Sequence, residues 1–593
     1  MSKHKKKIRI IKVYPENKIS GYLLIGLFAI FLCMFTTFKI SGDDDVFWHL
    51  ATGKYVVDNN SVPSNDIFGW ATANSEWMPF EWGWDVVTYF LFNIGGYTII
   101  SVFRTLIFLL LFFIYYLTFR KLGINQNLIA VFFVLIAFGI IDRLTPRPHI
   151  ISLLFFAILL YILISVRYKP DSSLKGFYFI PALFLIWSNF HMGVIAGIFI
   201  LLTYFSVVVY EHLRNRKTGL NKVRIYSGNE LFSIGMIFFA SVLCLLINPN
   251  GYDTFFYSYG HTQMKLLETI NEWRSPFDEM FSGSFVNTIY KAMLALGLFT
   301  AFYSFKTKDY FPFIIYLVFA IYSVRAVRFT VDYLIVVLPF LVLSLNFIIS
   351  SLKSESLRYN LLRGNFLKIA LSLILIYAII RLPNNELYLE DLKYYRVSGF
   401  GIDNNFIPVQ LFDFMEANKV PAKGEKVLNH FGTGGYFIWR FPDEKNFIDS
   451  RNLNDEIFGL YRDLIEKKTG FEKKLTDLGI DYAIYLAPDL VRAPQEMRST
   501  IISYFENTEN WKLVFWDDKS FLYLKDTPGF NEIISKFEYK YITPYNFLYN
   551  REAIDNGMKF DSKKVINELK RKHAEEPDGI IVNSILQTYN IRL

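Results

Sequence analysis

The chain alternates long apolar runs with short polar turns as far as Leu382, and then changes character. Eleven apolar runs can be marked in the first part. Gly21–Phe38 is the first, followed by Tyr97–Phe119, Asn127–Ile141, Ile150–Val166, Phe177–Phe190 and Val194–Tyr210. Leu231–Ile247, Phe285–Phe305, Tyr310–Val324, Thr330–Ser350 and Ile369–Ile380 complete the series. A helix needs about 20 residues to cross a bilayer. Several runs are shorter, so the pattern predicts helices whose ends reach into the flanking polar residues.

Beyond Leu382 the pattern is mixed. Lys426–Leu428, Gly435–Trp439, Phe447–Ile448, Tyr482–Leu486, Lys512–Phe515 and Phe521–Leu524 read as strands, and Glu456–Leu478 as helix. Strands interleaved with helices predict a small α/β domain. The expected organisation has four parts. A basic N-terminus (1–20) precedes a polytopic α-helical membrane domain (21–382) with a large first outer loop (39–96). An α/β domain (383–540) and a helical, charged tail (541–593) follow.

Composition agrees: 53% of residues are hydrophobic and 18% aromatic, more than a soluble domain carries. The net charge of +8 sits largely in the N-terminus and in the turns after the second, fourth, sixth, eighth and tenth runs. The positive-inside rule places all of these in the cytoplasm. The excess charge therefore reports topology and gives no reason to expect nucleic acid. An odd number of crossings puts the C-terminal domain outside. Cys33 and Cys244 lie inside apolar runs and offer neither a disulfide framework nor zinc spacing. The glycine-rich turn Phe431–Gly435 lacks the spacings of nucleotide-binding loops.

The same alternation puts the polar clusters on the outer side. Asp43, Asp44 and Asp45 follow the first run, His49 comes one helical turn after Asp45, and Glu81 lies in the run Trp77–Trp84. Residues four apart share a helix face, so Asp45 can orient His49, or both can meet a metal or a substrate hydroxyl. Asp43 and Asp45 are the candidate residues for a divalent metal. One aspartate would cap a helix. Three, with a histidine and a glutamate nearby, point to a general base. Trp77, Trp82 and Trp84 read as an interfacial aromatic belt or a surface that stacks on a sugar. Arg143, Arg147, Arg325 and Arg328 lie against the usual cytoplasmic bias and ask for an anionic partner, a phosphate or a lipid headgroup. His149 and His191 share their side. Asp449-Ser450-Arg451 reads as a turn or a polar contact.

These residues carry a resemblance. Asp43-x-Asp45-x-x-Trp48-His49-Leu-x-x-Gly53, with Pro63, Asp66 and Glu81-Trp82, resembles the first outer loop of bacterial polytopic proteins of the GT-C glycosyltransferase type. Arg147-Pro-His149, Trp187-Ser-Asn-Phe-His191-Met-Gly193, Gly434–Trp439 and Ile448–Arg451 resemble the same group. The resemblance implies transfer of a sugar from a polyprenyl-phosphate carrier to a lipid, glycan or protein acceptor on the outer face of a bacterial plasma membrane. It implies Asp43 or Asp45 as base or metal-site residue and Arg325 or Arg328 as phosphate anchor. The Asp-Glu pair of the mannosyltransferase and aminoarabinose-transferase branch is replaced here by Asp43-Asp44-Asp45. Two other classes stay open: a lipid or glycan transporter, and a non-catalytic envelope assembly protein. A transporter would carry polar residues near the middle of its spans. A scaffold would tolerate loss of the acids.

Overall fold

The computed structural model describes residues 18–592 except 42–44, 74, 170, 215–222, 355–363, 422–424 and 452–453. All eleven apolar runs are helical over most of their length. The helices are α1 (Lys18–Thr36), α2 (Asp45–Asn59), α3 (Trp82–Lys121), α4 (Gln126–Gly139), α5 (His149–Arg167), α6 (Ile180–Trp187) and α7 (Val194–Leu213). α8 (Gly228–Cys244), α9 (Asp253–His261), α10 (Phe285–Leu296), α11 (Leu298–Thr307), α12 (Phe311–Ser323), α13 (Thr330–Ser350) and α14 (Asn365–Arg381) follow. Among the described residues five segments are long and apolar enough to cross a membrane: Trp82–Lys121, His149–Arg167, Val194–Leu213, Phe285–Thr307 and Val327–Ser350. Shorter apolar helices lie among them. Inside a bilayer only a structure that bonds its own backbone survives, and continuous helices meet that demand.

The segment between the first two apolar runs, which the charge pattern assigns to the outer side and which is called here the first outer segment, is more regular than the loop expected from sequence. It contains α2 and the first half of α3. Gly95 and Gly96 break α3 with non-helical angles, and Gly96 (φ 61°, ψ −153°) adopts a conformation that only glycine takes easily. Residues 82–95 therefore pack against α2, and the second apolar run starts just after the break. The two helices approach closely at Gly53, where a Cβ would overlap the Asp85 carbonyl. Gly53→Ala is expected to push α2 from α3 and cost about 1–3 kcal/mol. A lowered thermal midpoint of the purified protein in detergent would show it. An unchanged midpoint would mean that the helices separate freely.

α5 spans roughly 28 Å from His149 to Arg167 by its helical rise. At its far end the buried Arg167 guanidinium donates to Asp309 Oδ1 (2.6 Å) and Glu211 Oε1 (2.8 Å), and the Tyr168 hydroxyl donates to Asp309 Oδ2 (2.6 Å). This cluster ties α5 and α7 to the turn between α11 and α12. The polar machinery described below lies at the other end of α5.

The C-terminal region holds a four-stranded sheet of β1 (Val427–Asn429), β2 (Tyr482–Leu486), β3 (Trp511–Trp516) and β4 (Ser520–Lys525). Its order is β1-β2-β4-β3, parallel between β1 and β2 and antiparallel elsewhere. Two expected strands are absent. Gly434–Arg440 is a helix, and Phe447–Ile448 is irregular chain held by the Asn429 side chain, whose Oδ1 accepts from Phe447 N. A short run that is apolar at every position has no period by which to tell strand from helix. The expected helix Glu456–Leu478 is two helices, Asp455–Ile465 and Phe471–Leu478, parted at Lys467 (φ 53°) and Gly470 (φ 84°). The tail is helical, and its Val565, Leu569, Ile581 and Val582 share one core with Trp516 and Tyr523 of the sheet. This domain is tied to the first outer segment by main chain: Trp70 N donates to Asn446 O, and Lys39 N to Val397 O.

Candidate active site

A cavity of ≈ 750 Å³ opens where the first outer segment, the outer ends of the helices and the C-terminal domain meet. Asp45, Glu81, Arg143, Arg147, His149, His191, Arg325 and Arg328 all line it. Eight residues singled out in the sequence thus converge from five separate stretches. Asp43, the other candidate base, lies outside the described residues, as does Asp44.

Asp45 opens α2. Its carboxylate accepts from Ser450 Oγ (2.6 Å) and Trp48 Nε1 (3.3 Å), and it pairs with Arg147 Nε at 3.1 Å. The expected partnership with His49 is not what forms. His49 Nδ1 meets Asp85 Oδ1 at 2.5 Å; His49 is fully buried and does not line the cavity. Burial first, then the charge of Arg147, hold its pKa well below the usual histidine value, so it is neutral. Asp45 and His49 thus take different partners, Asp45 toward Ser450 and Arg147 and His49 toward Asp85 of α3.

Glu81 caps the start of α3, which the turn after α6 braces. Asn189 accepts from Gly83 N (3.0 Å) through its carbonyl and from Trp82 Nε1 (2.9 Å) through its side chain. In the same turn Trp187 Nε1 donates to Ser152 Oγ (2.6 Å), which in turn faces His191 Nδ1 (2.8 Å). Gly193 N also donates to that Nδ1 (3.0 Å). Nδ1 is therefore the acceptor of a neutral ring, which leaves Nε2–H to face Glu81 Oε1 at 3.7 Å. Burial and the nearby Arg328 and Arg143 hold His191 down to about 3. Burial, with the Asp45 carboxylate, lifts Glu81 to about 8 against the pull of Arg328 and Arg147.

Glu81 therefore binds its proton more tightly in the folded protein than in the unfolded chain, where its pKa is near 4.5. Stability from this group is intact below that value and declines as pH rises towards 8. Glu81→Gln is expected to match wild type at acidic pH and to melt higher than wild type at pH 9. Parallel melting curves across that range would show that Glu81 keeps an ordinary pKa.

The arginines stand opposite. Arg143 Nη1 pairs with Glu272 Oε2 at 2.7 Å, and Arg328 Nη1 and Arg147 Nη1 lie 3.7 and 3.9 Å from Glu272 Oε1. Burial works to raise Glu272, but these three arginines hold it at about 2. Arg328 also lies 4.4 Å over the Trp273 ring. Arg325 is exposed at the rim and makes no ion pair among the described residues. His149 lines the cavity, but its Nε2 donates to the Arg143 carbonyl at 2.8 Å and so fixes the turn that carries the arginines.

Of the three tryptophans read as a belt or a stacking surface, Trp82 is half-buried and the other two are not at the surface. Trp84 and Trp77 are buried, and Trp77 lies beneath the Arg451 guanidinium at 4.5 Å. Asp449 and Arg451 are also buried: Arg451 bonds Asp449 and, through Nη1, Asp66 Oδ1 at 2.7 Å. Among the described residues no group of three or more His, Cys, Asp or Glu side chains could hold a metal ion. The proposed metal residue Asp43 lies outside them. Sequence reasoning overlooked Asp332, in the first turn of α13, which lines the cavity. A carboxylate inside an apolar run is the signal that marks it. Tyr322 and Phe329, on the same side, are stacked at 4.1 Å, and with Phe199, Val318 and Phe319 they give the cavity an apolar wall.

Neither a family model nor a curated protein matches the chain. Solved structures do. One is the archaeal oligosaccharyltransferase AglB from Archaeoglobus fulgidus in complex with an inhibitory peptide and a dolichol-phosphate. It is 10% identical, with a TM-score of 0.56 over 86% of this chain and 75% of that one. The same Archaeoglobus fulgidus enzyme tethered to an acceptor peptide matches at 0.50 and 10% identity, over 85% of this chain and 74% of that one. ArnT from Cupriavidus metallidurans bound to undecaprenyl phosphate matches at 0.47 and 12% identity, over 85% and 97%. The chain has the GT-C fold. In this GT-C fold the first outer segment, the outer helix ends and the C-terminal domain each contribute walls to a single cavity, which is why eight scattered residues meet there.

Proposed function

We propose that the protein is a membrane glycosyltransferase that moves a sugar from a polyprenyl-phosphate carrier to a lipid, glycan or protein acceptor. In this reading all eleven apolar helices cross a bacterial plasma membrane, the N-terminus is cytoplasmic, and the cavity and C-terminal domain face outward. The observation that carries it is the cavity's composition: carboxylates (Asp45, Glu81) on one side, arginines (Arg143, Arg147, Arg325, Arg328) on the other, and an apolar wall beside them. The dolichol-phosphate and peptide bound to AglB support a lipid-phosphate donor and a separate acceptor.

The chemistry needs little else. A lipid-phosphate sugar is already activated. The acceptor nucleophile attacks the anomeric carbon as the bond from that carbon to the phosphate oxygen breaks. Asp45, or Asp43, takes the acceptor proton. The departing phosphate keeps the electron pair of the broken bond on its own oxygen, and the guanidinium groups of the arginines stabilise the negative charge that develops there. Glu81, lifted to about 8, exchanges a proton close to neutral pH and supports the base. His49, bonded to Asp85, acts from behind by setting the α2–α3 junction. Asp43 and Asp45 are also where a divalent metal would bind if one is used.

Purified protein in nanodiscs, offered radiolabelled polyprenyl-phosphate sugars and a membrane extract as acceptor, is expected to transfer label. No transfer from any donor, with transport of the same lipids across the bilayer instead, would replace this reading with the transporter.

A further inference from the structure

Glu272 sits on the short turn Asn271–Trp273, in the polar segment between α8 and α10. Its carboxylate faces arginines from two other elements, the turn before α5 and the turn before α13. Only the contact with Arg143 is a direct bond (2.7 Å); those with Arg328 (3.7 Å) and Arg147 (3.9 Å) are beyond hydrogen-bond range. The Glu272 carboxylate thus satisfies Arg143 directly and Arg328 only at a distance, while Arg147 is shared with Asp45 (3.1 Å). A phosphate monoester presents three acceptor oxygens and a diester two, and either makes charge-assisted, bidentate bonds with guanidinium.

The turn is fastened on either side of Glu272. Asp455 accepts from Lys265 N (3.0 Å) and Leu266 N (2.8 Å), and the Arg274 carbonyl accepts from Val327 N (2.9 Å). The Glu272 side chain is 31% exposed, so it can leave the arginines without unfolding the segment.

We propose that Glu272 is the resident anion of the arginine cluster, and that the phosphate ester of an incoming ligand displaces its carboxylate. Glu272 then sets the affinity of the site: it keeps the arginines ordered while the cavity is empty, and a phosphate must compete with its carboxylate to bind. The inference rests on the reading of these arginines as phosphate anchors.

The test measures binding of farnesyl phosphate, farnesol and inorganic phosphate to the full-length protein in detergent. Glu272→Gln keeps the shape and removes the charge, and Glu272→Ala guards against a new contact by the amide. Both are expected to bind farnesyl phosphate at least about ten-fold more tightly than wild type. Farnesol affinity is expected to be unchanged. Inorganic phosphate gaining as much as farnesyl phosphate would still support displacement and assign it to the phosphate alone. Wild type and both variants binding farnesyl phosphate equally would overturn the inference and leave the proposed function standing. Farnesyl phosphate failing to bind any of the three would overturn the phosphate-anchor reading, and the inference with it.

Discussion

Asp45→Asn is expected to lower sugar transfer by about 10²–10⁴-fold, the range supplied by a positioned general base. Asparagine keeps the size of the side chain and an oxygen that can accept from Ser450 Oγ and Trp48 Nε1, the two donors that orient Asp45 at 2.6 and 3.3 Å. It removes the negative charge and the basic lone pair. Its pairing with Arg147, now 3.1 Å from the carboxylate, weakens as well. Binding of farnesyl phosphate separates the two effects: a variant that binds like wild type and does not transfer has lost chemistry, not architecture. Asp43→Asn belongs in the same experiment. Loss of transfer in that variant alone would move the base to Asp43. Full transfer by both single variants and by the double variant would remove these acids from the mechanism.

The apolar pattern made the helices legible because runs of that length have one stable form in lipid. The charge alternation made the outer cluster legible: residues assigned to one side of the membrane do line one cavity. What failed were pairings that depend on tertiary contact. Asp45 and His49 are four apart, and helix geometry alone makes them neighbours, yet α3 brings Asp85 to His49. The tryptophans of the 77–84 run look interfacial from their neighbours in sequence. Trp77 is instead covered by Arg451, almost four hundred residues further on. Asp332 carries its signal, a carboxylate inside an apolar run, and is passed over when the run is read only as a span.

Arg451→Met is expected to be the most damaging substitution for stability. Arg451 and its partners Asp66 and Asp449 are almost wholly buried, with side-chain exposures of 2%, 0% and 2%. The guanidinium donates to Asp449 through Nε (2.8 Å) and Nη2 (2.7 Å) and to Asp66 through Nη1 (2.7 Å). Asp66 also accepts from Phe68 N and Gly69 N, each at 3.0 Å, and from the Thr72 hydroxyl. Burial would raise Asp66, but Arg451 and these donors hold it below the ordinary aspartate value. Removing the only cation of this triad leaves two buried carboxylates without charge compensation. Breaking such a buried pair costs about 3–5 kcal/mol. Lysine should not rescue it, because a point charge cannot bond both carboxylates as the planar fork does. Asp66→Asn with Asp449→Asn in the Arg451→Met background should recover part of the loss, since the uncompensated charges are then gone. The loss reaches the site as well: Ser450, one residue earlier, holds Asp45. Thermal unfolding of the full chain in detergent and sugar transfer should therefore fall together in Arg451→Met. The triple variant should regain stability before it regains transfer. An Arg451→Met protein that melts like wild type would show that the carboxylates find water or protons on their own, and that the remaining contacts hold the C-terminal domain to the first outer segment without this triad.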